Sequence, residues 1–249
     1  MVTSLVSLDL ETTGLSIYMD QITQVGVVLE RVDNDGIILS TDTFASYVKC
    51  TKAISEGAKK VTGITEETLV NSCDFQQCFR DIISFLNTKC DKDDVRILVS
   101  YNGHRFDLPV LVAEVMRCGD GDPAAMLRRL KLDRSIDLLP TVKETYDYSK
   151  LPANKFGRAS MKLGDVYRAV CGRSIIDAHD ALADSKATLV VLHDDSLWPS
   201  LADTSRCIPA ASLFNSCIDR IKSKTTKAST CSSHTIASFL GNKRKRDVL

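Results

Sequence analysis

The sequence lacks several features that would assign it at once to a well-known class of protein. Lys plus Arg equals Asp plus Glu, 32 of each, so overall charge predicts affinity for neither nucleic acid nor membrane. The nine cysteines include no C-x-x-C pair, and their odd number suits reduced thiols in a cytosolic or nuclear protein better than a disulfide framework. P-loop and Cys/His zinc patterns are also missing, which excludes the usual signatures of nucleotide and zinc binding.

Long apolar runs are missing as well. No basic segment followed by an apolar one stands at the N-terminus, and no run is long enough to span a bilayer. We therefore expect neither secretion nor membrane insertion, and a nuclear or cytoplasmic location. The chain has 249 residues, of which 44% are hydrophobic and 26% charged. This composition is ordinary for a soluble globular protein with a buried core.

The hydrophobic pattern predicts an antiparallel meander at the start of the chain. Residues 5–10 indicate a strand, QITQVGVVLERV a second and IILSTDTFASYV a third, with turn residues Asp33 to Gly36 between the last two. DFQQCFRDIISFL then has apolar residues at helical spacing, with Asp74 as N-cap and Gln77 as its capping-box partner.

Helices and strands alternate after this meander. VRILVSYN predicts a strand, DLPVLVAEVMRCG a helix with Gly119 as its stop, and SIDLL a further strand. MKLGDVYRAVCG and DALADSKATLVVLHD predict two more helices, the first ended by Gly172. The order indicates an α/β protein with a mixed sheet and helices on its faces.

The composition changes towards the C-terminus. From about Asn215 the chain is rich in Ser, Thr and Lys and has few large apolar residues, so we predict a domain over residues 1–198 and a flexible tail over residues 199–249. The tail contains a short apolar patch (Ile236, Phe239, Leu240) and a basic cluster from Lys243 to Arg246.

Three acidic residues lie at the ends of predicted strands or directly after them. Asp9 and Glu11 share one face of the first strand, because alternate residues point the same way. Such a pair requires a bound cation, a shared proton, or solvent around an exposed strand end. Asp107 follows the fourth strand and opens a helix, which puts it at the same edge of the sheet, where α/β folds bind ligands. Capping of that helix is the alternative role for Asp107.

His179 and Asp184 flank the start of the last long helix. Five residues at about 100° each put them on different faces unless His179 precedes the helix, and we favour that arrangement. A surface imidazole is the alternative for His179. Carboxylates from separate segments suit Mg²⁺. Together with a neutral histidine as base, they fit phosphodiester hydrolysis with two metal ions about 4 Å apart.

Three segments resemble, in order and spacing, the motifs of DnaQ-like exonucleases of the DEDDh group: LDLETTGL, YNGHRFDLPVL and HDALADSKA. Within the group the chain is most similar to the three-prime repair exonucleases, over residues 5–192. The resemblance implies a ribonuclease H-like fold and metal-dependent 3′→5′ removal of nucleotides from DNA ends. By position, it makes Asp9, Glu11, Asp107 and Asp184 the ligands of two Mg²⁺ ions, which Mn²⁺ can replace, and His179 the general base.

The resemblance also implies substrate contacts and partners. Thr12, Leu15 and Ile64 match residues that hold the terminal nucleotide, and Tyr101 and Asn102 lie near its sugar and phosphate. Ordinary turn or core roles are the alternatives for these five. A homodimer is a further implication. An RNA-degrading enzyme of the same fold and a binding module without catalysis are the alternative functions.

Two basic segments predict further contacts. Residues 150–162 carry Lys150, Lys155, Arg158 and Lys162 with no acid between them, which suits either a DNA backbone or a solvated face. SHTIASFLGNKRKR resembles a degenerate form of the peptide that binds the sliding clamp, proliferating cell nuclear antigen. A nuclear import signal alone is the alternative for this segment.

Overall fold

Six strands form a single sheet in the computed structural model, which describes residues 2–118, 121–203 and 205–224. The strands are β1 (Thr3–Thr12), β2 (Ile22–Val32), β3 (Ile38–Tyr47), β4 (Val95–Ser100), β5 (Arg134–Asp137) and β6 (Ile208–Pro209). Their order across the sheet is β3-β2-β1-β4-β5-β6. Strands β1 to β3 are antiparallel, β4 is parallel to β1 and to β5, and β6 is antiparallel to β5. The predicted meander with added parallel strands is confirmed.

Helices cover both faces of this sheet. They are α1 (Glu56–Thr62), α2 (Glu66–Leu69), α3 (Phe75–Lys89), α4 (Asp107–Arg117), α5 (Pro123–Arg128), α6 (Leu138–Thr145), α7 (Leu163–Cys171) and α8 (Ala181–Leu192), and residues 210–224 are also helical (α9). One core joins α3, α4 and α9 to one face, and a second joins α6, α7 and α8 to the other. In the part of the chain that the structure describes, no helix is both long and apolar enough to cross a membrane.

Two predicted helix ends are observed and one predicted contact is not. The carboxylate of Asp74 caps α3 by accepting from the Gln77 N–H at 2.7 Å, and α7 ends at Gly172 with a φ of 73°. The predicted stop of α4, Gly119, lies outside the described residues. The predicted contact that is not observed is the one from the Gln77 side chain back to the start of α3. This side chain donates to Asp81 at 2.8 Å. The predicted capping box is therefore wrong in its second half, because residues one turn further along the helix offer Gln77 a partner.

The structure differs from the predicted tail over residues 208–224. β6 pairs with β5, and α9 packs into the same core as α3 and α4 through Ala210, Phe214, Cys217, Ile218 and Ile221. These residues recur at the spacing of one helical face. The average composition of the segment does not reveal this pattern, because many polar residues lie between the apolar ones. Residues 225–249, with the predicted clamp-binding segment and basic cluster, lie outside the described residues.

We expect Phe214→Ala to lower the free energy of unfolding by about 3 kcal/mol, because it removes a buried ring and leaves a cavity. Phe214 is 5% exposed. Urea denaturation measures the change, with Ser212→Ala, at an exposed position of the same helix, as the control. Equal stability of the wild type and Phe214→Ala would contradict the packing of α9.

Candidate active site

The carboxyl ends of β1 and β4 bring the first three acids together. The two strands are parallel neighbours, so Asp9 and Glu11 at the end of β1 lie beside the residues that follow β4. Asp107 is the first residue of α4 and is buried. Its Oδ1 accepts a hydrogen bond from the Leu10 N–H at 3.2 Å. Asp107 therefore joins the start of α4 to the strand that carries the other two acids.

The loop before α8 supplies the rest of the site. His179 is exposed and precedes the first helical residue, Ala181, as predicted. Its backbone N–H donates to Asp184 Oδ2 at 3.3 Å. One ligand atom each from Glu11, His179 and Asp184 lies within 4.8 Å of the other two. Residues from distant parts of the sequence thus form one polar cluster with the composition of a metal site.

The clustered acids have raised pKa values. Burial, followed by repulsion from Asp184 and Asp107, raises the pKa of Glu11 to about 8. Burial raises the pKa of Asp107 to about 7, against the opposing effect of backbone hydrogen bonds. Burial is also the main reason why the pKa values of Asp9 and Asp184 are raised. A divalent cation bound among these groups would favour their ionised forms and offset the repulsion.

A close approach of α8 to β2 holds Asp184 at this edge of the sheet. Gly26 of β2 is paired with Asp9. A Cβ atom added to Gly26 would lie 2.2 Å from the carbonyl carbon of Ala181, so a larger residue would force the helix away. The Ser185 hydroxyl donates to the Gly26 carbonyl at 2.9 Å. The sequence prediction missed this contact, and the glycine inside the predicted strand was the available signal.

Two cavities meet at His179. The first, about 800 Å³, is lined by Glu11, Thr12, Leu15, Val61, Phe106 and His179, among others. The second, about 590 Å³, is lined by Tyr101, Asn102, Lys162, Arg168, His179 and Asp184, among others. The polar cluster therefore has open space on both sides, enough for an extended ligand to pass across it.

The predicted contacts from the first part of the chain differ in exposure. Leu15 is 88% exposed at the first cavity. Thr12 is buried, and its hydroxyl donates to the Gly14 carbonyl at 2.6 Å, as a turn residue does. Ile64 is 3% exposed and packs with Ile54 in a small core. The alternative role as a core residue describes Ile64 in this structure, since contact with a base requires an exposed side chain.

Tyr101 and Asn102, which the resemblance places near the sugar and phosphate, line the second cavity. The Tyr101 hydroxyl donates to the Met161 carbonyl at 2.7 Å. Asn102 has a φ of 63°, and its N–H donates to Asp137 Oδ1 at 2.7 Å. The buried Asp137 also accepts from the His104 N–H at 3.2 Å. Asp137 therefore fixes the loop that carries Asn102 and His104. The only sign of this role in the sequence is that an acidic residue ends the strand segment SID.

We expect the metal-free protein to lose stability as the pH rises. The pKa of Glu11 is about 8 in the folded protein, against an ordinary value of 4.5. The stability gained from its proton is therefore complete below about pH 4.5 and is lost as the pH rises through about 8. Mg²⁺ or Mn²⁺ should raise the melting temperature much more at pH 8 than at pH 5, when calorimetry compares each metal with EDTA.

The variant Glu11→Gln is the control for this prediction. It removes the titrating group, so both the loss of stability with pH and the response to metal should become smaller. An equal response to metal at the two pH values, in the wild type and the variant alike, would show that this carboxylate is not responsible.

Comparisons with known proteins identify the family of the chain. The RNase_T family model, described as exonuclease, matches residues 6–192. Three-prime repair exonuclease 1 of Homo sapiens is 29% identical over 145 residues, which are 56% of this chain and 42% of that protein. Its Bos taurus counterpart is 28% identical over 206 residues, 76% of this chain and 62% of that protein.

Solved structures give the same result. E. coli exonuclease I in complex with a dT13 oligonucleotide has a TM-score of 0.63 and 25% identity, over 81% of this chain and 43% of that chain. The predicted ribonuclease H-like fold and the resemblance to DnaQ-like exonucleases are confirmed. The chain spans less than two thirds of each of these relatives. Because the family match extends over well more than half of its residues, this protein belongs to the exonuclease family RNase_T.

Proposed function

We propose that this protein is a metal-dependent 3′→5′ exodeoxyribonuclease that uses two Mg²⁺ ions. The observation that carries the proposal is the convergence of Glu11, His179 and Asp184 within 4.8 Å, beside the buried Asp107 and the carboxylate of Asp9. The names of relatives support the 3′→5′ direction and the DNA substrate: they include a three-prime repair exonuclease and an exonuclease in complex with a dT13 oligonucleotide. A role in DNA repair, proofreading or degradation is part of the proposal.

The donor set fits hard divalent cations. Asp9, Glu11, Asp107 and Asp184 offer only carboxylate oxygens, which suit Mg²⁺ and Mn²⁺. Burial and repulsion from neighbouring carboxylates raise the pKa of each of these acids, as expected where positive charge completes a site. When bound, the ions supply activation of the attacking water and stabilisation of the leaving oxygen.

His179 is the general base of the proposed mechanism. Its exposed ring lines both cavities, so a water molecule between the ring and a phosphodiester in either cavity can transfer a proton to a ring nitrogen. Carboxylate oxygens of Glu11 and Asp184 lie within 4.8 Å of a nitrogen of the ring, so the base stands directly beside two of the proposed metal ligands. The hydrogen bond from the His179 N–H to Asp184 holds the loop in place.

The two cavities suit different parts of a nucleic-acid strand. Leu15 and Val61 are 88% and 52% exposed at the first cavity, and apolar surfaces of this kind contact base faces. Lys162 and Arg168 line the second cavity, and such cations bind phosphates. We infer that a single-stranded or frayed 3′ end lies across the polar cluster, with Tyr101 and Asn102 near the sugar and phosphate.

The proposal includes two protein partners, a second copy of the chain and a sliding clamp. β3 lies at the edge of the sheet, and Ile38 and Leu39 at its start are 45% and 53% exposed, which favours pairing with a second copy. The clamp-binding segment within residues 225–249 stays a prediction from the sequence.

Oligonucleotide digestion tests the proposed activity. DNA and RNA of the same sequence, labelled at the 5′ end, are incubated with the purified protein in Mg²⁺ or in EDTA. We expect DNA to shorten stepwise from its 3′ end in Mg²⁺ only. Faster shortening of RNA would assign the protein to exoribonucleases of the same fold, and binding without shortening would favour a binding module.

We expect Asp184→Asn to abolish hydrolysis while the fold and much of the DNA binding remain, because it removes a charged ligand without changing the shape of the side chain. His179→Ala should slow turnover by about 10²–10⁴-fold, as loss of a general base does. Single-turnover kinetics measure both effects.

The matched control for these variants is His193→Gln at the opposite end of α8. His193 hydrogen-bonds to Glu30 at 2.7 Å and is separated from the loop of His179 by the 12 residues of α8, about 18 Å at 1.5 Å per residue, and a glutamine can keep that bond. An unchanged rate in His179→Ala, or an equal loss in His193→Gln, would remove His179 from the mechanism.

A further inference from the structure

Gln24 is a buried residue whose side-chain amide connects the sheet, which carries Asp9 and Glu11, to the helix that carries Asp184. It lies on β2, paired with Glu11 of β1, and is 5% exposed. Its Nε2 donates to Asp180 Oδ2 at 2.6 Å, and its Oε1 accepts from the Ala181 N–H at 3.2 Å. Asp180 is the N-cap of α8 and Ala181 its first residue. Both ends of the amide are thus occupied by the start of one helix.

The loop before α8 needs support from outside. Asp177 and His179 have φ values of 57° and 69°, in the left-handed region that residues other than glycine rarely adopt. Backbone of this kind persists only where surrounding contacts fix it. The Asp180 N–H donates to the Asp177 carbonyl at 3.0 Å, which closes the loop on itself. Neither this bond nor the one from the His179 N–H to Asp184 joins the loop to the sheet, so a contact with the sheet is needed to fix the loop relative to the acids of β1.

Asp180 provides that contact with the sheet. Its Oδ1 accepts from the N–H groups of Leu182 and Ala183 at 3.1 and 3.0 Å, so the carboxylate is fixed to the first turn of α8. Its other oxygen accepts from Gln24. The carboxylate therefore links the helix end to β2 directly after the residue that carries the imidazole.

We propose that Gln24 is the positioning residue that sets His179 and Asp184 relative to Asp9 and Glu11. The inference rests on the proposed nuclease function. Gln24 acts through Asp180 and the loop, since its own amide is occupied by Asp180 and Ala181. A side chain here must donate to a carboxylate and accept from a backbone N–H at the same time, and a primary amide meets both requirements.

Reversing the polarity of this contact tests the proposal. Gln24→Glu keeps the acceptor for the Ala181 N–H but places a carboxylate against that of Asp180. Asp180→Asn keeps the helix cap but places its NH₂ against the Gln24 NH₂. In the double variant the new amide at position 180 donates to the new carboxylate at position 24, which restores every hydrogen bond and leaves the net charge unchanged.

We expect each single variant to lower kcat by about 10- to 100-fold, the usual cost of a small displacement of catalytic groups. The double variant should recover to within a few-fold of the wild type. KM for a DNA oligonucleotide should stay unchanged, because the side chains that line the two cavities on either side of His179 are untouched. Failure of the double variant to recover would overturn the proposal.

Two further variants separate positioning from a general structural role. His193→Ala removes a hydrogen bond between the other end of α8 and Glu30 of β2, so it should lower the melting temperature while kcat is kept. His179→Ala should cost less in the Gln24→Glu background than in the wild type, because the two residues act as one unit. An equal kcat loss in His193→Ala, or independent effects of Gln24→Glu and His179→Ala, would contradict the assignment.

Hydrogen exchange at the His179 and Ala181 amides gives a readout that needs no activity. In metal-free protein we expect faster exchange in both single variants, recovery in the double variant and no change in His193→Ala. This pattern in a protein that digests no oligonucleotide would support the positioning of the loop and reject the nuclease function. Unchanged exchange in all variants would reject the role of Gln24, whatever the activity.

Discussion

Repulsion among the acids at the end of β1 is the constraint on which the rest of this structure depends. Asp9 and Glu11 share one face of a central strand, and Asp107 and Asp184 are brought beside them. Burial and these neighbours raise the pKa of Glu11 to about 8. Mobile side chains would relieve such repulsion by moving into solvent. Here the acids stay together because each belongs to a strand or helix whose position is set by a packed core.

Two helices offset part of this negative charge. α4 and α8 both begin at the site, with Asp107 and Asp184 in their first turns. The N-terminus of a helix carries a partial positive charge, which stabilises carboxylates nearby. The helices thus supply two of the acids and lower the free-energy cost of bringing the acids together. The raised pKa values indicate that part of the repulsion remains for a cation to offset.

The sequence predicts the acids of the candidate site better than it predicts the contacts that hold them in place. Asp9, Glu11 and Asp107 can be placed together because strand periodicity and parallel strand order determine which residues meet at one edge of a sheet. His179 can be placed ahead of α8 because helical periodicity forbids the alternative. These inferences use local patterns alone, and the observed geometry agrees with them.

Contacts between distant segments were not predictable in this way. Gln24 and Asp180 lie 156 positions apart, and nothing in either segment indicates that an amide of β2 meets a helix cap. The burial of Ile64 depends likewise on how α1 and α2 fold over it. The packing of α9 was hidden because its apolar face is narrow and its other faces are rich in polar residues.

The neutral side chain at position 24 is consistent with the constraint set by the acids. Asp180 already contributes to the raised pKa values of Asp9, Glu11 and Asp184. A carboxylate at position 24 would stand opposite Glu11 in the sheet and add another like charge, which destabilises such cross-strand pairs. An amide holds the helix start with two hydrogen bonds and adds no charge. The structure can therefore fix the loop that carries His179 without increasing the repulsion that a bound cation must offset.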